Sequence, residues 1–401
     1  MPMRNANVAV YAGLMSGTSL DGVDAVLAEW AAPRAASPGQ PIERRSEANF
    51  VRPVERGFVH VPMPPALREE LLALNVPGGS DELNRAQLAA NAVARLYAQA
   101  VRGLLGQAGL AAAEVRALGA HGQTVRHRPG EYDGIGYTVQ LLAGALLAES
   151  TGIDVVCDFR ARDIAAGGQG APLVPAFHAE VFGDVGGAET AVLNVGGIAN
   201  LTLLPAAGGA GPVRGFDCGP GNVMMDLWCR RAFGRAFDDD GRLAAAGRVN
   251  EALLQRCLAE PYFGRAPPKS TGRDLFDAAW LDARLQGEPG LAAQISSHDV
   301  LATLAELTAR AAAEALAAHA PRTARLHVCG GGAHNGHLMR RLAALAGVPV
   351  QGTQSLGIAP ERVEALAFAW LARAFCERRT ASLPAVTGAR GPRLLGALYP
   401  A

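Results

Sequence analysis

Residues 16–24 combine glycine, hydroxyl and carboxyl groups in one short stretch, Ser-Gly-Thr-Ser-Leu-Asp-Gly-Val-Asp. Glycine makes backbone N–H groups accessible, and together with hydroxyl donors these groups suit phosphate oxygens. A carboxylate in the same loop can reach Mg²⁺ or its waters. The segment therefore fits a phosphate-binding turn, and the alternative is an ordinary polar hairpin. A P-loop is not predicted, because the chain has no G-x-x-x-x-G-K-[ST] pattern.

The best general-base candidate is Asp217, which lies in the segment Gly-Phe-Asp-Cys-Gly-Pro-Gly-Asn at residues 215–222. Its neighbours Phe216 and Cys218 are apolar and would desolvate the carboxylate, which favours proton uptake. The glycine-rich turn that follows leads into a helix from about Val223, and a helix N-terminus suits an anion. The alternative is an aspartate that caps the helix or the turn.

Three further polar segments leave their role open. Arg160 and Arg162 precede the glycine-rich residues 167–175 and could bind a carboxylate in bidentate fashion or form surface salt bridges. Gln123 could hydrogen-bond a sugar or a neighbouring loop. The segment Lys-Ser-Thr-Gly-Arg at residues 269–273 could contact phosphate or substrate, or form a plain loop.

Two similar strand–turn–strand units must position these residues. Residues 8–12 are predicted as a strand, 13–22 as a turn and 23–29 as a return strand. Residues 191–204 repeat the pattern around Gly-Gly, about half a chain later. The repeat predicts two related α/β lobes, and the glycine-rich residues 183–187 place the boundary near residue 186.

Helices and short strands fill the rest of each predicted lobe. A helix from about Ser80 and a strand at 116–120 deliver the segment from His121 to a strand end, where α/β folds usually bind ligands. The second half predicts a helix over 301–318, a strand over 326–329 and a glycine turn after it. The last long helix is predicted over 360–376. Its buried face consists of Val363, Leu366, Ala367, Trp370 and Ala374.

The composition indicates a globular protein and argues against some kinds of partner. The 401 residues are 49% hydrophobic and 18% charged, which is the balance of a globular protein. Equal numbers of basic and acidic residues, 37 of each, predict no nucleic-acid or membrane partner. Lys269 is the single lysine, which by itself indicates codon bias.

The cysteines and histidines suggest neither disulfides nor a metal site. The six cysteines are scattered, which predicts buried free thiols in a reducing compartment, and no signal-like or spanning apolar run is present. We therefore expect a cytoplasmic protein. His334 and His337 are three residues apart, but no nearby cysteine or carboxylate completes a metal site.

The motif at residues 13–24 resembles the N-terminal motif of the anhydro-N-acetylmuramic acid kinases. Further segments resemble that family, in the family's order along the whole chain: 121–124, 167–175, 194–197, 215–222, 268–273 and 329–332. The resemblance implies the two-lobed actin, hexokinase and sugar-kinase fold (ASKHA, RNase H-like), with a central cleft for ATP. It makes 1–185 the N-terminal lobe and 186–401 the C-terminal lobe, whose last helix could pack back towards the first lobe.

The same resemblance implies a reaction. ATP, water and 1,6-anhydro-N-acetylmuramic acid would give N-acetylmuramic acid 6-phosphate and ADP during recycling of the cell wall. Asp217 would take a proton from the water that attacks C1, while O6 leaves and attacks the γ-phosphoryl group. The alternatives are a kinase of another sugar in the same fold, or a nucleotide-dependent switch without sugar turnover.

The resemblance also assigns binding residues and a homodimer. The residues expected to bind ATP are Gly17, Thr18, Ser19, Leu20, Asp21, Gly22, Val23, Asp24, Gly330, Gly331 and Gly332. Mg²⁺ would be carried by ATP, with no direct protein ligand. The residues expected to contact the sugar are His121, Gln123 and Glu364, and the choice among Arg126, Arg160 and Arg162 for its lactyl carboxylate stays open. Residues 31–55 look like an extension beyond the family's compact version.

Overall fold

The computed structural model describes residues 8–31, 52–183, 187–209, 211–286 and 295–401. Most of the predicted extension at residues 31–55 lies outside the described residues, as does the expected lobe boundary near residue 186. Within the described ranges, no helix is both long enough and apolar enough to cross a membrane.

The chain divides into two compact units, and its last 40 residues belong to the first of them. The first unit comprises residues up to 184 together with 362–401, and the second comprises 185–361. The expectation that 186–401 forms one lobe is therefore corrected for residues 362–401. The helix at the start of this segment packs on strands of the first sheet, as described below.

The first unit is built on a six-stranded mixed sheet with the strand order β13-β7-β4-β1-β2-β3, and β5 and β6 form a separate hairpin. Its strands are β1 (Val8–Met15), β2 (Gly22–Ala31), β3 (Val54–Pro62), β4 (Val115–Ala120), β5 (Gln123–Pro129), β6 (Gly136–Leu141), β7 (Val155–Cys157) and β13 (Ala397–Tyr399). Its helices are α1 (Pro65–Asn75), α2 (Glu82–Ala108), α3 (Gly144–Thr151), α4 (Ala161–Ala165), α5 (Val174–Phe182), α12 (Val363–Cys376) and α13 (Pro384–Thr387).

The second unit is built on a five-stranded sheet with the order β10-β9-β8-β11-β12. Its strands are β8 (Thr190–Val195), β9 (Ile198–Leu204), β10 (Arg214–Pro220), β11 (Arg325–Cys329) and β12 (Val350–Gly352). Its helices are α6 (Val223–Phe233), α7 (Arg242–Ala245), α8 (Glu251–Leu258), α9 (Ala278–Leu285), α10 (Ser297–His319) and α11 (Gly336–Ala346).

The two sheets share one topology. In the first unit β2 is antiparallel to β1 and β3, while β4 and β7 continue parallel to β1. In the second unit β9 is antiparallel to β8 and β10, while β11 and β12 continue parallel to β8. In each unit five strands form a 3-2-1-4-5 sheet with an antiparallel second strand, which is the RNase H-like arrangement, and in the first unit β13 adds a sixth strand antiparallel to β7. The predicted α/β fold class with two related lobes is confirmed.

Helices cover both faces of the first sheet, which explains why β1 and β2 are buried along most of their length. Helix α12 lies directly on β1 and β4 because both strands carry a glycine at the contact. A Cβ atom at Gly13 would overlap the carbonyl oxygen of Ala365, and one at Gly119 would overlap that of Phe368. This close approach is the physical reason that the C-terminal segment belongs to the first unit.

Helix α2 buries the face that its apolar spacing predicts. Val93, Tyr97 and Leu104 are fully buried, and the helix begins at Glu82. It ends at Ala108 and is followed by Gly109, whose φ of 62° is readily adopted by glycine in a left-handed C-cap. All six cysteines are free, and five of them are buried.

Candidate active site

The turn between β1 and β2 is shorter than predicted. Both strands extend further than the sequence suggested, because Leu14 and Met15 pair with Ala25 and Asp24 across the hairpin. Residues 16–21 form the turn. Within it, Leu20 N donates to Gly17 O at 3.3 Å, and Ser19 Oγ donates to Asp21 Oδ1 at 2.6 Å. A short turn with an exposed carboxylate results.

The base of this turn is held by a buried hydroxyl pair. Ser16 Oγ lies 2.8 Å from Tyr97 Oη, and both hydroxyls lie within hydrogen-bond distance of Gly122 O, at 3.1 and 3.3 Å. Tyr97 comes from the middle of α2, so that helix fixes the turn to the loop after β4. The apolar pattern of α2 predicted only a core position for Tyr97.

Not every residue of the expected ATP segment presents its side chain to a ligand. Leu20 and Val23 are fully buried, so any contact from them with a nucleotide would use the backbone. Asp24 lies in β2, where its Oδ1 is 2.8 Å from His60 Nδ1 of β3, and this bond raises the pKa of His60. A Cβ atom at Gly22 would lie 2.5 Å from His60 Cε1. The binding roles of these residues remain predictions.

His121 is a neutral, fully engaged histidine. Its Nδ1 donates to Ser16 O at 3.3 Å, and its Nε2 accepts from Arg160 Nε at 3.1 Å and Nη2 at 2.9 Å. Burial, then the charge of Arg160, lowers the pKa of His121 to about 3. Both ring nitrogens have protein partners, so the imidazole orients Arg160 in this structure. Direct contact between His121 and a sugar stays a prediction.

The side chain of Gln123 has a hydrogen-bond acceptor, Oε1, without a donor among the described residues. Its Nε2 donates to Gly17 O at 3.2 Å, which joins the loop after β4 to the turn after β1. Its Oε1 is buried and has no hydrogen-bond partner in the part of the chain that the structure describes. A buried oxygen without a donor is costly. A ligand hydroxyl would supply that donor.

Of the three arginines left open for a carboxylate, Arg160 lies beside a predicted sugar-binding residue. It also donates from Nη1 to Gly170 O at 2.8 Å, which fixes it to the glycine-rich loop. Arg126 forms an ion pair with Glu82 at 3.2 Å and contacts Leu74 O, while Arg162 is exposed on α4. Arg160 is therefore the arginine that His121 orients.

Asp163 secures the glycine-rich loop that Arg160 contacts. Its Oδ2 accepts from Gly170 N at 2.8 Å and its Oδ1 accepts from Thr387 Oγ1 at 2.9 Å. Burial raises the pKa of this carboxyl, although the hydrogen bonds oppose the shift. Part of the charged run at residues 160–163 is therefore buried and holds the loop in place. The alternative of surface salt bridges did not predict this role for Asp163.

Glu364 lies in the first turn of α12 and is partly exposed. It precedes Phe368 by four residues, and residues at this spacing share a helix face. The Phe368 ring packs on the His121 ring, with centroids 4.9 Å apart. Glu364 therefore projects from the helix face that packs on His121, and its contact with a sugar stays a prediction.

In the second unit, glycine-rich turns meet beyond the carboxyl ends of the parallel strands β8, β10 and β11. Asn222 Nδ2 donates to Val195 O at 3.1 Å, and Asn222 N donates to Gly196 O at 2.8 Å. A Cβ atom at Gly330 would lie 2.5 Å from Asn194 Oδ1, and one at Gly332 would overlap Val195. Only glycine lets these turns pack this closely. The predicted 330–332 turn thus lies against the 194–197 turn.

Asp217 is buried within β10, with 5% of its surface exposed. Its Oδ2 accepts from Thr271 N at 3.0 Å, and its backbone N donates to Lys269 O at 3.3 Å. Tyr262 Oη donates to Asp217 O at 2.7 Å. Asn200 lies opposite Asp217 in the strand register. The carboxylate is therefore fixed by its own backbone and by one segment, residues 262–271.

Two oxygens near this carboxylate lack hydrogen-bond partners within the described ranges. They are Thr271 Oγ1 and Asn200 Oδ1, and both are buried. Sequence reasoning noted residues 269–273 only as a possible substrate segment, and it missed Tyr262 and Asn200. The pairing of Asn200 with Asp217 depends on β-sheet register, and the Tyr262 contact spans 45 residues, so no local pattern indicated either.

The described residues contain no group of three or more His, Cys, Asp or Glu side chains that could hold a metal ion. His334 Nε2 lies 3.2 Å from Glu361 Oε2, so it forms an ion pair when protonated. The exposed Asp21 carboxylate in the β1–β2 turn accepts a hydrogen bond from Ser19 Oγ. Such a group can contact the waters of a metal ion that arrives with a nucleotide.

Known proteins are similar to this chain over nearly its whole length. The sequence model of the anhydro-N-acetylmuramic acid kinase family matches residues 9–401. The enzyme of that name from Cupriavidus pinatubonensis is 56% identical over 97% of this chain and 98% of its own length. The one from Bordetella petrii is 57% identical, with 98% and 96% covered, and the one from Cupriavidus metallidurans is 51% identical over the whole of both chains.

Among solved structures, the activator of 2-hydroxyisocaproyl-CoA dehydratase from Clostridium difficile with bound ADPNP is similar at a TM-score of 0.46 and 10% identity, covering 92% of this chain and 96% of that one. The sequence relationship extends over nearly every residue that carries the site motifs described above. This chain belongs to the anhydro-N-acetylmuramic acid kinase family.

Proposed function

We propose that this protein uses MgATP and water to convert 1,6-anhydro-N-acetylmuramic acid into N-acetylmuramic acid 6-phosphate and ADP. Family membership supports the reaction. The observation that carries the proposal is the Asp217 carboxylate, which is buried and held through Oδ2 by the Thr271 N–H. A fixed, desolvated carboxylate is the group that general-base catalysis of water attack requires.

The chemistry needs one base because the anhydro bridge joins C1 to O6. Asp217 takes a proton from the water whose oxygen bonds to C1, and the C1–O6 bond breaks. O6 then bonds to the γ-phosphorus of ATP, and the bond from that phosphorus to the leaving oxygen breaks to release ADP. Opening of the ring thus creates the nucleophile for phosphoryl transfer.

The residues of the two turns are proposed to bind the nucleotide. Backbone N–H groups of residues 17–22 and the hydroxyls of Thr18 and Ser19 suit phosphate oxygens. Mg²⁺ that enters with ATP neutralises phosphate charge, and Asp21 is the exposed carboxylate suited to its waters. Residues 330–332 are proposed to line the nucleotide site of the second unit.

The sugar is proposed to contact Gln123, Arg160 and Glu364. The unpartnered Gln123 Oε1 supports a hydroxyl contact, and the guanidinium of Arg160, oriented by His121, suits the lactyl carboxylate. We place the reaction in the cytoplasm, where ATP is regenerated and free thiols stay reduced. A homodimer, implied by the family resemblance, would be tested by light scattering at two protein concentrations.

The test is an assay of ADP release with purified protein, MgATP and the anhydro sugar, with the product mass measured in ¹⁸O-labelled water. We expect sugar-dependent ADP release and a product that gains one phosphate and one labelled oxygen. Equal phosphorylation of ordinary hexoses would contradict the substrate. ATP binding without any sugar-dependent turnover would instead favour a nucleotide-dependent switch.

A further inference from the structure

Lys269 is unusual because of the composition of the chain. It is the single lysine among 37 lysine and arginine residues. The chain uses arginine at every other basic position, including buried ion pairs such as that of Arg373 with Glu180. A bias this strong predicts arginine at position 269 as well. A lysine there indicates a requirement that the guanidinium group does not meet.

The surroundings of Lys269 identify that requirement. The side chain is buried, and its Nζ donates to Tyr262 O at 3.3 Å and to Phe263 O at 3.2 Å. The ammonium group also lies 4.8 Å from the centroid of the Tyr262 ring, within cation–π distance. A compact ammonium group can donate to the carbonyls of Tyr262 and Phe263 and, at the same time, contact the face of the Tyr262 ring. A planar guanidinium has a larger, fixed fork geometry.

These contacts close a loop around Asp217. Tyr262 Oη holds Asp217 O, Lys269 O accepts from Asp217 N, and Thr271 N holds Asp217 Oδ2. Lys269 Nζ ties the start of this segment, at residues 262 and 263, to its end. One ammonium group therefore joins the two ends of the segment that supplies the three contacts to Asp217.

The charge of Lys269 also acts on Asp217. Burial lowers the pKa of Lys269, and the negative charge of Asp217 opposes that shift. A nearby cation favours the ionised form of a carboxylate, which is the form that accepts a proton.

The titratable and charged groups around this pair come from several elements of the second unit. They are Asp217 and Cys218 on β10, Tyr262 and Arg265 in the segment before Lys269, and His319 at the end of α10. Arg265 and His319 are the other groups able to carry positive charge. Burial lowers the pKa of His319, and the charge of Lys269 lowers it further. Lys269 is the buried cation of this set, because Arg265 is exposed and His319 is partly exposed.

We propose that Lys269 is a positioning residue for Asp217: its ammonium group holds the segment that anchors the Asp217 backbone and carboxylate, and it places a positive charge near that carboxylate. The role in turnover depends on the proposed function of Asp217 as the base. The electrostatic coupling of Lys269 to Asp217 does not depend on that function, so the two can be tested separately.

The first experiment uses the fact that the chain has one lysine. Full-length protein, with a lysine-free tag and lysine labelled with ¹³C at Cε, gives a single lysine side-chain NMR signal that reports Lys269 without assignment. We expect Asp217→Asn to move the titration midpoint of that signal to lower pH, because the ammonium loses its attractive charge. Asp239→Asn, which changes a 71% exposed carboxylate of the same unit, serves as the control and should leave it unmoved. An unchanged midpoint in Asp217→Asn overturns the coupling, whether or not the protein turns over any sugar.

The second experiment measures turnover. In Lys269→Met we expect kcat to fall by about tenfold or more while the KM for MgATP stays within about twofold, because a misplaced base affects the chemical step. We also expect the acid limb of kcat/KM to move to higher pH in Lys269→Met and to stay in place in Lys269→Arg, which keeps the charge. Thermal melting confirms folding of both variants. A folded Lys269→Met with the kcat and acid limb of the unmodified protein would refute the positioning role.

Discussion

The two units share a sheet topology but differ in what covers the third strand. In the first unit the third strand, β3, is mostly exposed or partly buried, and among the described residues it pairs only with β2. In the second unit the third strand, β10, is buried from Gly215 to Pro220 and carries Asp217. Segment 262–271 contacts the outer side of β10 through the Asp217 backbone. The sheet topology is duplicated, whereas the position of the Asp217 carboxylate depends on contacts with segment 262–271 of the second unit.

The first turns of the two sheets differ in length and composition. The β1–β2 turn has residues 16–21 and is rich in hydroxyls, whereas the β8–β9 turn consists of Gly196 and Gly197. The longer turn has room for phosphate-binding groups. The shorter turn packs against the backbone at Gly221 and Asn222. Equivalent turns in one topology therefore differ in length and packing: the first is longer and rich in hydroxyls, and the second packs on the backbone.

The largest expected effect comes from removal of the carboxylate that distinguishes the second unit. Asp217→Asn should lower kcat by about 10²–10⁴-fold, the usual contribution of a general base, while ATP binding is retained. Steady-state ADP release and calorimetric ATP binding measure the two properties. Asp239→Asn is the exposed control, and retained turnover in Asp217→Asn would show that the base lies elsewhere.

The second prediction concerns the stability of the first unit, where α12 packs closely on β1. Gly13→Ala should lower the free energy of unfolding by about 1–3 kcal/mol, because the added Cβ overlaps the Ala365 carbonyl of α12. Urea unfolding followed by tryptophan fluorescence would measure this change. Gly106→Ala is the matched control: nothing lies within 4 Å of the added Cβ in helix α2, so it should add about 0.5–1 kcal/mol. Equal effects of the two substitutions would argue against the close packing of α12 on β1.

The buried histidines of the first unit predict acid sensitivity. Burial lowers the pKa of His121 and of His178 to about 3, from 6.5 in the unfolded chain. The unfolded state therefore binds more protons between about pH 3 and 6.5, so stability is complete above pH 6.5 and is lost as the pH falls through this window. At pH 5 each histidine should cost about 1–2 kcal/mol.

Urea unfolding of the full chain at pH 7 and pH 5 measures this loss. His178→Phe should reduce the difference between the two pH values, because His178 is fully buried and its pKa shift comes from burial alone. His334→Phe is the control, since His334 is exposed on the second unit. A pH dependence that His178→Phe leaves intact would assign the acid sensitivity to other groups.

The smallest expected effect concerns thiol reactivity. Burial raises the pKa of Cys218 and Cys229 in the second unit to about 12, and partly exposed Cys376 of the first unit also has a raised pKa. We expect at most one thiol per chain to react with a disulfide reagent at pH 8 in the native protein. Cys376→Ser should remove that reaction, and denaturation should expose the rest. Fast reaction of several thiols in the native state would contradict the buried assignment.

The sequence by itself determined the local secondary structure and the family. The hairpins at residues 8–29 and 191–204, the buried face of α2 and the strand before the 330–332 turn all follow from short-range patterns, and the structure confirms them. The ordered motifs identified the family, and the comparisons confirm it. Such signals are readable because hydrophobic period and glycine turns involve residues close together in the chain.

Only the tertiary structure decided which distant segments of the chain contact one another. Residues 362–401 belong to the first unit because Gly13 and Gly119 admit α12, which depends on contacts more than 200 residues apart in sequence. Sheet register sets Asn200 opposite Asp217, and Lys269 lies 52 positions beyond the carboxylate whose segment it holds. A carboxylate, a histidine or a lysine carries the same local signal whether it is solvated or buried. Its role is set by the groups that folding brings around it, because burial and fixed partners decide its charge and its freedom to move.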